Sequence, residues 1–132
     1  MPSVAAAASK SIELVEKSDD LRKNIFSKAK YFRSKLKNLG VPFIDSDSHI
    51  IPILVNDTEK AKVFSKELLK KHNCYVQPIF YPTVPKNSAR LRITITPKHS
   101  YSDIDNLLGA IQDIWFKSKK RKVKTAFNSV AI

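Results

Sequence analysis

An α+β fold is expected for this chain, and three observations carry the expectation. Apolar residues recur at steps of three and four over residues 3–36 and again over residues 104–115, the spacing of amphipathic helices. Between them, residues 49–55, 75–79 and 90–96 are apolar or alternating runs of strand length. With only 2 glycines in 132 residues, a glycine-rich nucleotide cradle of the P-loop or Rossmann kind is excluded. The organisation that follows is an N-terminal helical segment over 1–40, an α+β unit over 41–116 built on a short three-stranded sheet packed by helices, and a basic tail over 117–132.

The first helix is expected over residues 3–17, with Ile12 and Val15 on one stripe and Val4, Ala5 and Ala8 a turn or two earlier. Ser18 followed by Asp19 and Asp20 reads as a new start, since a side-chain oxygen caps free amides and acids suit a first turn. The second helix carries Leu21, Ile25, Ala29, Phe32 and Leu36, and Gly40 with Pro42 stops it. One bent helix is the alternative for these two. A strand over 49–55 follows, then a helix opening at Asp57 or Thr58 with Ala61, Phe64 and Leu68 inward, ending near Lys71 and His72. Pro52 and Pro78 push their strands to sheet edges or bulges, because proline donates no ladder hydrogen bond. Ser100 or Ser102 is expected to cap a last helix in which Ile104, Leu107, Leu108, Ile111 and Trp115 repeat, with Trp115 in the core.

Composition narrows the function classes. The net charge of +12 is divided: Lys117, Lys119, Lys120, Arg121, Lys122 and Lys124 lie in the tail without an acid, and the rest of the excess is spread over a lysine-rich surface. No apolar run approaches the roughly 18 residues that span a bilayer, and no secretory signal is recognisable, so no membrane association and a cytoplasmic location are expected. The single cysteine, Cys74, is expected as a small buried hydrophobe, with a reactive thiol as the lesser alternative. His49, His72 and His99 form no metal-ligand spacing, so no metal site is expected, and the paired acids Asp19/Asp20, Asp45/Asp47 and Asp103/Asp105 suit caps and turns. No residue is assigned a catalytic role.

Residues 75–99 hold the candidate binding chemistry. Within 90–96, Leu91, Ile93 and Ile95 fall on one face and Arg90, Arg92, Thr94 and Thr96 on the other. A guanidinium on a strand, with hydroxyls beside it and the stiff Tyr81-Pro82-Thr83-Val84-Pro85 loop leading in, suits a carboxylate or phosphate. The plainer reading is an edge strand with a solvated polar face.

Four segments in this order, Ser48-His49-Ile50-Ile51-Pro52-Ile53, Tyr75-Val76-Gln77-Pro78-Ile79, Tyr81-Pro82-Thr83-Val84-Pro85 and Leu91-Arg92-Ile93-Thr94, resemble the C-terminal domain of the 5-aminolevulinate synthase family. That family belongs to the α-oxoamine synthases, pyridoxal-phosphate (PLP) enzymes of the aspartate-aminotransferase fold. The opening Pro2-Ser3-Val4-Ala5-Ala6-Ala7-Ala8 is similar to the small-residue helix start of the same family, and the likeness runs over residues 2–116. It implies a small domain of a fold-type-I PLP enzyme with a mainly antiparallel sheet, its helical segment leading from a large domain. The Schiff-base lysine, the pyridine-pairing aspartate and the phosphate loop of the family belong to that large domain. The resemblance therefore implies no cofactor bound by this chain and no activity for it alone.

By the same resemblance, Arg92 matches the arginine that binds the substrate glycine's carboxylate, and Thr83 matches the threonine of the loop that lines the succinyl-CoA pocket. Ile50 and Ile79 are weaker candidates for lining the same pocket. Phe80 stands where the family commonly has a polar residue, and Lys86-Asn87-Ser88 replaces a glycine-containing turn. The reaction implied for the complete enzyme is glycine plus succinyl-CoA giving 5-aminolevulinate, CoA and carbon dioxide, in tetrapyrrole and heme synthesis. A homo-oligomer or a large-domain partner chain is the expected company, and an uncovered stripe on the first two helices would favour self-association. The second reading is a complementing or regulatory small domain that docks on a separate large-domain chain. A basic nucleic-acid-binding module is a distant third, since the strand over 91–96 lacks the aromatic pair that stacks bases.

Overall fold

A computed structural model describes residues 1–128, with side chains through Lys117. Its elements are α1 (Pro2–Glu16), α2 (Asp19–Asn38), β1 (Ile50–Leu54), α3 (Thr58–His72), β2 (Gln77–Ile79), β3 (Arg90–Thr94) and α4 (Tyr101–Asn128). The strands form one antiparallel sheet in the order β1-β3-β2. α3 packs on α4, β2 and β3, while α2 packs on α4 and β1. The helices thereby cover the sheet face that carries Ile51, Ile53, Leu91 and Ile93, all buried. The basic tail expected over 117–132 lies, in every side chain but that of Lys117, outside the described residues.

Local chemistry sets most boundaries. α2 ends in a Schellman motif: Gly40, at φ +64°, sends its N–H to the Lys37 carbonyl (3.0 Å), and Val41 sends its own to the Leu36 carbonyl (3.2 Å). Asp57 caps α3 by accepting from the Lys60 N–H at 2.8 Å. Ser100 caps α4 in a reciprocal box, its hydroxyl accepting from the Asp103 N–H (3.1 Å) while the Asp103 carboxylate accepts from the Ser100 N–H (2.8 Å). Asn56, Asn73 and Asn87 hold φ of 62°, 53° and 62°, so asparagine, which tolerates the left-handed region, serves where this glycine-poor chain must turn.

Both prolines sit as expected, on the two edge strands. The Ile95 N–H bonds the His49 carbonyl at 3.3 Å, so by alternation the β1–β3 bonds fall at Ile51 and Ile53, and the position lacking an N–H at Pro52 faces away from β3. There the chain supplies other partners: the Ile44 N–H bonds the Pro52 carbonyl and the Leu54 N–H bonds the Pro42 carbonyl, both at 2.9 Å.

Several expectations change. β3 is the central strand, which removes the edge-strand reading. β2 is three residues long, and just before it the Val76 carbonyl accepts from the buried Ser65 hydroxyl of α3 at 2.6 Å. β3 stops at Thr94, and beyond it the Thr96 N–H bonds His99 Nδ1 at 3.2 Å instead of a strand partner. The first two helices are separate, as the leading reading expected, and the break at Lys17 and Ser18 removes the one-bent-helix alternative. Ser18 is the N-cap residue of α2 but its side chain makes no cap, since its hydroxyl turns back to the Leu14 carbonyl one turn earlier in α1. Arg22 closes the junction, donating from Nη1 to the Val15 carbonyl (2.8 Å) and pairing with Asp19.

Candidate functional site

Strand alternation and register build the site. On the sheet face away from the helices, three rows stand side by side: Leu54, Arg90 and Ile79; then Pro52, Arg92 and Gln77; then Ile50 and Thr94. Arg92 is exposed in the middle row of the central strand, and Ile50 and Ile79 are half-buried on the same face. Three of the four residues singled out from sequence are therefore brought to one surface. Among the described residues, no carboxylate forms an ion pair with Arg90 or Arg92, so the face presents two guanidiniums without an internal counter-ion. None of the residues in these rows is aromatic, and the exposed Tyr75 stands beside them, its hydroxyl donating to Gln77 Oε1.

Thr83 lies off the face, exposed in the turn that joins β2 to β3. That turn rises from the end of the sheet marked by the Ile79–Arg90 pair. The Tyr81–Pro82 peptide is cis, the Thr83 N–H bonds the Phe80 carbonyl (3.1 Å), and the Ser88 N–H bonds the Pro85 carbonyl (3.2 Å). The two departures from the family wording acquire physical roles. Phe80 packs against the core with the Lys62 ammonium 5.2 Å from its ring, and Asn87 takes the left-handed conformation a glycine would otherwise supply.

A groove of about 490 Å³ opens where the chain before β2 diverges from β3. Arg92 and Thr94 line it with His72, Cys74, His99 and Asp103, residues whose meeting no sequence spacing foretold, while Thr83, Ile50 and Ile79 do not. His72 Nε2 is buried without a hydrogen bond and lies 3.4 Å from the Asp113 carboxylate. Burial raises the Cys74 thiol above its ordinary range, which opposes thiolate chemistry at neutral pH. Asp103 is held low by its bonds to Ser100. Among the described residues no three metal-ligating side chains converge. No helix there is long and apolar enough to cross a membrane.

Sequence reading gave Arg90 no role, although alternation had placed it beside Arg92. Its neighbours Leu54 and Ile79 depend on cross-strand register, which one sequence does not display.

The model of the family Aminotransferase class I and II matches residues 1–111. The chain is 44% identical over 114 residues to a 5-aminolevulinate synthase of Rhizobium meliloti, covering 86% of this chain and 28% of that protein. It is 37% identical over 113 residues to an 8-amino-7-oxononanoate synthase of Thermoanaerobacter pseudethanolicus, again with 86% and 28% covered. Among solved structures, a serine palmitoyltransferase from S. paucimobilis with bound PLP superposes with a TM-score of 0.77 at 28% identity, over 86% of this chain and 29% of that one. The fold is thus that of part of a fold-type-I PLP enzyme, as the sequence reading expected. The chain spans less than a third of the length of these relatives.

Proposed function

Because the chain belongs to the aminotransferase class I and II family, we propose that it is the C-terminal, substrate-gripping part of a 5-aminolevulinate synthase. The observation that carries this reading is Arg92, exposed without a counter-ion at the centre of the open sheet face, in a chain 44% identical to such a synthase. Arg92 takes the carboxylate of glycine as a charge-assisted pair and so fixes the direction of the bonds at its α-carbon. Ile50 and Ile79 supply apolar walls, and Thr83 on its turn contributes to the site for the succinyl group. The reaction served is glycine plus succinyl-CoA giving 5-aminolevulinate, CoA and carbon dioxide.

The described residues do not fit PLP by themselves. Lys28 is the one buried lysine among them, and its ammonium is engaged by the Pro97 carbonyl at 2.8 Å and lies 5.9 Å from the Tyr101 ring. No lysine lines the groove beside Arg92. This chain's part is to bind and orient, with the cofactor held by another part of the enzyme in the organisation 1–40 linker, 41–116 small domain and 117–132 tail. The uncovered α1 also suits the second reading, in which the large domain is a separate chain.

Exchanging this chain for the matching 28% of the R. meliloti synthase tests the reading. The exchange is expected to yield an enzyme that forms 5-aminolevulinate from glycine and succinyl-CoA. A folded, PLP-loaded chimera that makes none would sink it. Titrating the 132-residue chain alone with PLP and borohydride is expected to trap no stoichiometric adduct, and a single glycine-responsive lysine adduct would overturn the division of labour.

A further inference from the structure

Arg90 and Arg92 share a face and differ in what surrounds them. Arg92 is exposed between Pro52 and Gln77. Arg90 is half-buried between the apolar Leu54 and Ile79, and its Nε donates to the Ser88 carbonyl at 3.2 Å. The strand's second guanidinium is therefore tied to the turn that carries Thr83. The bonds continue outward from it. Ser88 donates its N–H to the Pro85 carbonyl (3.2 Å), Asn87 turns the chain at φ +62°, and the Ala89 carbonyl accepts from both the Val55 and Asn56 N–H groups at 2.9 and 2.8 Å. The other leg of the turn is held by Phe80, packed on the core, whose carbonyl accepts from the Thr83 N–H at 3.1 Å. Thr83 stands between these two anchors.

We infer that Arg90 is a positioning residue, setting through the Ser88 carbonyl where the 81–88 turn and Thr83 stand relative to the open face. The inference rests on the synthase reading for the substrate named but on this chain's own geometry for the anchoring. A guanidinium offers its Nε–H in a fixed fork, whereas a lysine ammonium is a point charge on a flexible stem, so the two separate anchoring from charge.

In the chimera with the R. meliloti synthase, Arg90→Leu is expected to raise the KM for succinyl-CoA by roughly three- to tenfold, the scale of one ordinary hydrogen bond, because the lost bond acts on the substrate only through the turn. The KM for glycine should stay within about twofold. Arg90→Lys should keep most of the defect. Equal changes in both constants, no change in either, or full restoration by lysine would overturn the assignment. An inactive chimera speaks against the synthase reading instead, and the anchoring is then decided on the 132-residue chain by amide hydrogen exchange. Faster exchange at Thr83 and Ser88 in Arg90→Leu, with β1 and α3 unchanged, supports it. Unchanged protection at both amides, or a loss spread over the whole fold, refutes it.

Discussion

α1 and α4 each carry apolar residues at helical spacing, and their fates differ. α4 buries Ile104, Leu108, Ala110, Ile111, Ile114 and Trp115, with the Trp115 ring 5.5 Å from that of Phe64. α1 buries nothing: Val4, Ile12 and Val15 stay 62%, 62% and 59% exposed. The ends differ as well. α4 opens on the Ser100–Asp103 box, whereas α1 has no side-chain cap and no acid in its first turn. Lys10 and Lys17 both reach Glu13, pairs of small worth on an exposed surface. A helical stripe reports a face that favours burial, and the partner that buries it need not be the same stretch of chain. In the synthase reading α1 meets its cover in the rest of the enzyme.

Side-chain truncation separates buried from exposed helix faces most strongly. Phe32→Ala in the α2 half of the core should cost about 3–5 kcal/mol. Ile12→Ala on α1 should cost no more than about 0.5 kcal/mol. Urea denaturation decides, and comparable losses would mean that α1 is packed in solution. Next comes Gly40→Ala: a Cβ there meets nothing within 4 Å, so the effect is conformational alone, about 1–2 kcal/mol for a left-handed alanine. A neutral result would show that the α2 terminus is not held in the Schellman turn.

The two serines at helix starts give a smaller test. Ser100→Ala should destabilise by about 1 kcal/mol through loss of a working cap. Ser18→Ala should leave the unfolding midpoint unchanged, because its hydroxyl caps nothing in α2. The smallest effect is acid sensitivity. Asp113 is held below its ordinary range chiefly by its bond to Lys117, Asp103 by Ser100, and Glu13 by Lys17 and then Lys10. Folded values below the unfolded ones mean stabilisation that is present above about pH 4 and lost as pH falls through the folded values. Asp113→Asn should therefore flatten the acid limb of global stability. Glu13→Gln should alter only helical circular dichroism, and a matching global change would contradict the isolation of α1.

Legibility followed the range of the forces involved. The helix starts, narrowed in sequence to Asp57 or Thr58 and to Ser100 or Ser102, the stop at Gly40 and the placing of Pro52 and Pro78 at edges or bulges are local effects, and the structure selects Asp57, Ser100 and the two edges. Ser65 taking the Val76 carbonyl, and Ser18 turning back to α1, are contacts between elements or across their junctions, and spacing does not reveal them. In the site, alternation placed Arg92 outward. Register was needed to set Ile50 and Ile79 on the same face and to show Arg90 reaching the Thr83 turn.

The role of Arg92 is decided by the glycine dependence of the chimeric synthase with and without its guanidinium. If Arg92 grips the substrate carboxylate, Arg92→Leu should raise the glycine KM by roughly 10- to 100-fold, the scale of a lost charge-assisted pair. An unchanged glycine KM in an active chimera would mean that Arg92 does not hold the carboxylate.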